Sequence, residues 1–246
     1  MSEVVRLLSF ALMGLGILVV LFLLAGIRFI PNNKVGIVEM RISPKGSLDR
    51  GVIALAGEAG FQPGVLRGGL HYLLPIQYDV HIVPLVTIPQ GKLGYVFARD
   101  GQLLPSSQAL ASNASTSDFQ SAAEFLAKGG QRGPQRKIVR EGTYAINLAQ
   151  FVVITEERLY YLPLEKGEEE MFQRMAKLLR EREGFAPVIM KGTDDNIGIV
   201  TVHDGPSLPP GQIIAPTVGE DPLETATYHN SFQDPERFLA AGGLRG

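Results

Sequence analysis

The sequence predicts an α+β fold: a single N-terminal transmembrane helix followed by tandem, mainly β units with short helices. Three observations predict it. Residues 7–27 form an uninterrupted apolar run without one charge. A segment marked by Asp-Gly and Leu-Pro occurs twice in the polar remainder. The chain also holds 28 glycines and 16 prolines, set between runs rich in Val, Ile, Tyr and Thr, which is the composition of turn-rich β structure.

The first element is the anchor. As a helix, residues 7–27 would be about 31 Å long, close to the ~30 Å hydrocarbon core of a bilayer. A cleaved signal has a shorter core, about 7–15 residues, and small residues at its exit. Here the exit reads AGIRFIP, with bulky residues where small ones are needed, so the sequence predicts a retained anchor. Beyond the exit lie Arg28, Lys34, Arg41 and Lys45; before the run Arg6 is offset by Glu3. That excess places the C-terminal part in the cytoplasm, as a single-pass protein of the cell inner membrane. Gly14 and Gly16 are two apart rather than four, so they form no small-xxx-small pairing motif.

The 246 residues leave enough chain beyond the anchor for two modest domains. A net charge of −2 argues against nucleic acid as a partner. With no cysteine, disulfides, thiolate metal sites and thiol nucleophiles are excluded.

The repeat comes next. Residues 94–111, GYVFARDGQLLPSSQALA, align without gaps with residues 198–215, GIVTVHDGPSLPPGQIIA. Similarity resumes in FQSAAEFLAKGGQRG from Phe119 and FQDPERFLAAGGLRG from Phe232. The first part of each copy is β-prone and ends at Asp-Gly, a hairpin-turn signal. The second part predicts a short amphipathic helix, capped in the first copy by Ser117 or Asp118 and stopped in both by Gly-Gly. The first copy continues into GPQRKIVREGTYAINLAQFVVIT, predicted as two strands around Glu141-Gly142. The second reaches Gly246 before that point, which predicts a shortened form of a longer protein. A fainter relative precedes both: NKVGIVEM resembles KLGYVFAR, and VLRGGLHYLLP sets Arg67 opposite Arg140 and Gly69 opposite Gly142. Between the copies, Glu168-Glu169-Glu170 opens a helix with a Met171, Phe172, Met175, Leu178, Leu179 stripe, ended by Gly184. The organisation is therefore anchor (1–31), first β unit (32–90), second β unit (91–165), connecting helix (166–186) and third, incomplete β unit (187–246).

The anchor running directly into PNNKVGIVEMR and PGVLRGGLHYLLPIQYDVHIVPLVTIP resembles the entry to the SPFH, or band 7, domain of stomatins, prohibitins and flotillins. The match covers residues 31–89, and the later repeats look like bacterial flotillin-like members with a duplicated β unit. The resemblance implies homo-oligomers that organise membrane microdomains. The long coiled coil of that family has no counterpart here, since no heptads occur.

Catalytic chemistry finds little support. His71 and His81 fall in strand contexts, and they, His203 and His229 read as structural. HExxH and GxSxG are absent. GGQRGPQRK lacks the Gly-Lys-Ser/Thr ending of a phosphate loop and follows a helix. Its Arg132, Arg136 and Lys137, with Arg140, form a candidate basic patch for lipid headgroups or a neighbouring subunit. Asp194-Asp195 reads as a polar loop, and Asn113-Ala114-Ser115 fits a glycosylation pattern that carries no weight in a bacterial-looking chain. No catalytic, cofactor or metal residue is assigned. The expected function is a non-enzymatic membrane scaffold, whose partners are the lipid bilayer, further copies of itself and membrane proteins, including membrane proteases. The alternative is a membrane-tethered β-rich module that binds a ligand without assembling.

Overall fold

The computed structural model describes residues 2–106, 108–112, 118–189, 198–218, 232 and 234–246. Its elements are α1 (Ser2–Leu24), β1 (Ile27–Ile30), β2 (Lys34–Met40), β3 (Gly60–Leu66), β4 (Gly69–Tyr72), β5 (Tyr78–Pro84), β6 (Val86–Ile88) and β7 (Tyr95–Ala98). They continue with α2 (Ala122–Ala127), β8 (Gly133–Pro134), β9 (Gly142–Tyr144), β10 (Phe151–Ile154), β11 (Leu159–Tyr160), α3 (Glu168–Glu181) and α4 (Pro235–Ala240). This is α+β structure with several small sheets.

Among the described residues, α1 is the one helix long and apolar enough to cross a membrane. Its 23 residues span about 35 Å. The apolar run is not helical to its end, however: the helix stops at Leu24, and Ile27, expected as its last residue, begins β1. Strand pairing overrides the run, because β1 lies antiparallel to β4 with Ile27 opposite Tyr72 and Ile30 opposite Gly69. Gly26 makes the exit possible. A Cβ there would lie 2.7 Å from the Tyr72 ring, so any larger residue would push β4 away.

Two units follow in matching register. In the first, β2 is the centre of a β3-β2-β5 sheet and β1 pairs with β4. In the second, β7 lies between β8 and β10, β11 continues the sheet, and β6 pairs with β9. The partners correspond one by one. Ile30 opposite Gly69 recurs as Ile88 opposite Gly142. Glu39 opposite Phe61 recurs as Phe97 opposite Pro134. Met40 opposite Tyr78 recurs as Ala98 opposite Phe151. Side chains repeat as well. The Gln62 amide donates to the Gly60 carbonyl as the Gln135 amide does to that of Gly133. Gln77 donates to the Ile42 carbonyl as Gln150 does to that of Asp100. By pairing, β6 belongs with the second unit.

Three expectations are corrected here. Asp100-Gly101 and Asp204-Gly205 are not two-residue hairpin turns. The chain leaves β7 into a long loop, and each Asp side chain is used elsewhere, as described below. Glu141-Gly142 does not join two strands of one hairpin either. Val139 bridges to Gly94, and after Gly142 the chain moves to a different sheet to pair with β6. The cap of α2 is Ser121, whose hydroxyl accepts from the Glu124 amide, so Asp118 lies outside the helix. Ser117 lies outside the described residues.

The third segment, residues 198–246, repeats the second unit as far as it goes. Val202 and Gly246 exchange backbone bonds as Ala98 and Gly133 pair. Helices α2 and α4 end alike: the Gly130 amide donates to Phe125 and that of Gly243 to Phe238, with Gly129 and Gly242 at positive φ. This is the glycine C-terminal motif expected from Gly-Gly. α3 ends differently. Glu183 takes the left-handed position at φ 52, one residue before the expected Gly184.

The main core joins both units. Val35, Ile37, Val83, Val86, Ile88, Val96, Phe119, Phe125, Phe151 and Val153 pack together. Phe151 holds Phe119 and Phe125 edge-on, with ring centroids 5.3 and 5.0 Å away. β10 is buried on both faces because α3 covers its outer one, setting Phe172 and Ala176 on Val152 and Ile154. Residues 39, 79 and 81 of the first unit occupy the register positions of Phe97, Val152 and Ile154. They are Glu, Asp and His, and no helix covers them.

Candidate functional site: carboxylate clasps between units

The Asp of the repeated Asp-Gly ties its own unit to the loop of the unit before it. Asp100, at the end of β7, accepts from the Val52 and Ile53 amides of the first unit at 2.9 and 3.3 Å. Asp204, in the equivalent place of the third segment, accepts from the Ala109 and Leu110 amides of the second at 2.6 and 3.3 Å. The following glycine is needed for close approach. Gly101 at φ 138 and Gly205 at φ 105 each lie against the backbone that follows α2 or α4, at Gly130 and Gly243. Adjacent amides aimed at one carboxylate are a strong, charge-assisted arrangement.

The second clasp is reinforced by Arg136. Its guanidinium, 5% exposed, reaches Asp204 at 2.8 Å and Glu236 of α4 at 2.5 Å. Burial alone would push the Asp204 carboxyl up. The Ala109 amide, the Arg136 guanidinium and the Leu110 amide outweigh it and hold the group below the usual carboxylate range. The expected basic patch is therefore divided. Arg136 is an internal tie between units rather than a surface cation, and Lys137 pairs with Asp118 at 2.9 Å. Arg132 and Arg140 are exposed.

Arg99, next to the first clasp, is the second buried cation. It donates to the carbonyls of Leu148, Ala149 and Leu162 and pairs with Glu168 at the start of α3. Burial pulls its guanidinium down from the usual range, and Glu168 pulls the other way. The ion pair locks α3 onto the sheet, with Tyr95 donating to the Gly184 carbonyl beyond the far end of that helix. Burial pushes the Tyr95 hydroxyl up.

Among the described residues, the groups that could hold a metal are Glu39, Asp79 and His81, whose ligand atoms lie within 4.8 Å of one another on the outer face of the first unit. They already have partners: His81 contacts Glu39 at 2.8 Å and Arg41 contacts Asp79 at 2.5 Å. A cation would compete with Arg41 for the only Asp in the set. Of the other histidines, His71 contacts the Arg67 carbonyl at 2.7 Å and His203 is exposed. His229, Asp194-Asp195 and Asn113-Ala114-Ser115 lie outside the described residues.

Reading the sequence missed the clasps. It singled out Asp-Gly for its local turn tendency, whereas the amides it binds are about 48 and 95 positions away. The available signal was the gapless recurrence of Asp in a strand that otherwise keeps only its apolar pattern. Comparison with family models, curated proteins and solved structures found no match.

Proposed function

We propose that this chain is a membrane-anchored, non-enzymatic scaffold of the SPFH type. In this reading α1 sits in the bilayer, and a stiff row of β units assembles side by side with further copies to organise membrane proteins and lipids. The observation that carries the reading is the repeated clasp. Among the described residues the most deeply buried charged side chains, Arg99, Arg136 and Asp204, bind neighbouring elements of the row rather than converging on an open pocket. Buried ion pairs of this kind fix geometry more than they add stability.

The test is the size of the full chain in lipid nanodiscs or native membranes, by mass photometry and electron microscopy. Scaffolding requires particles of several copies. A uniform monomer at micromolar concentration would overturn it. One observation favours the second reading, a tethered ligand-binding module: an open groove of about 830 Å³ between β11 and α3, lined by Arg158, Glu169, Glu170, Gln173, Arg174 and Lys177. A monomer that binds a charged ligand there would select that reading. The same reading sets the β units on the cytoplasmic side of the inner membrane, which protease protection in sealed vesicles tests.

A further inference from the structure

The outer face of the β1/β4 sheet is apolar where the matching sheet of the second unit is polar. In β1 and β4, successive side chains alternate between faces. Ile30 is buried in the protein, and the opposite face presents Ile27, Phe29, Leu70 and Tyr72. Phe29 and Leu70 stand directly opposite each other and are 67% and 70% exposed. At the same register in β6 and β9 stand Thr87 opposite Thr143, both exposed. The difference continues next to the sheet. Ile42, Leu74 and Ile76 are exposed and line a cavity with Phe22 of the last turn of α1. Their second-unit counterparts by register are Asp100, Asn147 and Ala149.

Two copies of one backbone therefore differ in a patterned way, and only the copy attached to α1 carries the apolar set. The attachment is tight. β1 starts three residues after α1 ends, the Leu73 amide donates to the Gly26 carbonyl at 3.0 Å, and the Tyr72 ring rests against Gly26. Phe29 lies three residues past Gly26, at most about 10 Å of extended chain from the helix exit. The interfacial zone of a bilayer is of the same order, and amphipathic surfaces there bury their apolar side about 5–10 Å deep. Tyr72 has the apolar body and polar tip enriched at that level. Arg67, exposed in the turn between β3 and β4, is a cation of the kind that meets lipid phosphates.

We propose that this face, made of Ile27, Phe29, Leu70 and Tyr72 with Ile42, Leu74 and Ile76, is immersed in the interfacial layer of the bilayer that α1 crosses, while the threonine face of the second unit stands in water. The proposal rests on the reading of α1 as a membrane span and extends it. The first unit is a half-submerged foot, and the row of units leaves the membrane only after β5.

The absence of cysteine makes the test direct. Full-length chain carrying one cysteine at a time is labelled with a polarity-sensitive nitrobenzoxadiazole dye. It is then reconstituted in phosphatidylcholine/phosphatidylglycerol vesicles without quencher, with lipids doxyl-labelled near the headgroup, or with lipids doxyl-labelled deep in the acyl chain. Leu15→Cys reports the anchor, Phe29→Cys, Leu70→Cys and Ile76→Cys the proposed face, and Thr87→Cys and Thr143→Cys the control face. The expected result is at least about twofold stronger quenching at 29, 70 and 76 than at 87 and 143, greatest with shallow doxyl positions. Quenching at 15 with none at 29, 70 and 76 overturns the proposal and leaves the anchor standing. Blue-shifted but unquenched dye at 29 and 70 also overturns it, because protein then covers the face. Loss of quenching at 15 overturns the anchor and the proposal together. As a second measurement, the paired change Phe29→Thr with Leu70→Thr installs the residues the second unit already carries. It keeps the fold by circular dichroism and abolishes shallow quenching at 76 if the face is seated in lipid; unchanged quenching at 76 counts against seating through these two residues.

Discussion

Asp204 sits where several demands meet: 6% exposed, bound by two amides and paired with a guanidinium that is itself buried. Asp204→Ala leaves Arg136 with Glu236 as its one carboxylate partner and the Ala109 and Leu110 amides without theirs, and the expected loss is about 2–4 kcal/mol, because a buried guanidinium that loses half its counter-charge costs more than a missing hydrogen bond. Hydrogen exchange should show it first at the Ala109 and Leu110 amides. Asp204→Asn keeps an acceptor and should fall between wild type and alanine. The pH dependence follows from the same group. Its folded-state pKa is depressed, so its contribution is present above the unfolded-state value of about 3.9 and is lost as pH falls through the lower folded value. Exchange protection of Ala109 and Leu110 measured down an acid titration should persist through the ordinary carboxylate range and collapse only below it. A collapse above that range would contradict the assigned direction.

At the scale of elements, α3 is a cover for an apolar sheet face. Phe172 is fully buried, 5.4 Å from the Phe97 ring, and Phe172→Ala should cost about 3–5 kcal/mol, read as a drop in the thermal midpoint. Gly130 and Gly243 are a matched pair. A Cβ at either would run into the Phe ring that ends its helix, Phe125 or Phe238, so Gly130→Ala and Gly243→Ala should each destabilise by roughly 1–3 kcal/mol. Similar losses at both positions, by calorimetry, would show that the two copies are held alike. Most of these elements were legible from sequence, because apolar period and glycine placement are local signals. The Gly-Gly stops of α2 and α4 are examples, and so are Phe172, Met175 and Leu179 of the α3 stripe; Met171 and Leu178 are exposed, and Ala176 is buried in the contact instead. What was not legible depended on distant partners. Ile27 reads as helix until β4 is present to pair with it. Glu141-Gly142 reads as a hairpin until β6 competes for the strand. The kinship of the first unit was faint because α2 is inserted between β7 and β8 of the second, where the first has a shorter loop without a helix between β2 and β3, which breaks the alignment just where it would have been longest.

The whole molecule is a row with a direction. Among the described residues, both clasped loops are closed by a carboxylate of the unit that comes after them in sequence: residues 52 and 53 by Asp100, residues 109 and 110 by Asp204. In a chain emerging from a ribosome, the foot beside the membrane helix is translated well before the residue that fastens its loop. Each section must then wait, unlatched, for the synthesis of its successor. A pause that leaves residues 34–84 outside the ribosome while Asp100 is still inside it should therefore leave the first loop open to protease, with β2, β3 and β5 already made.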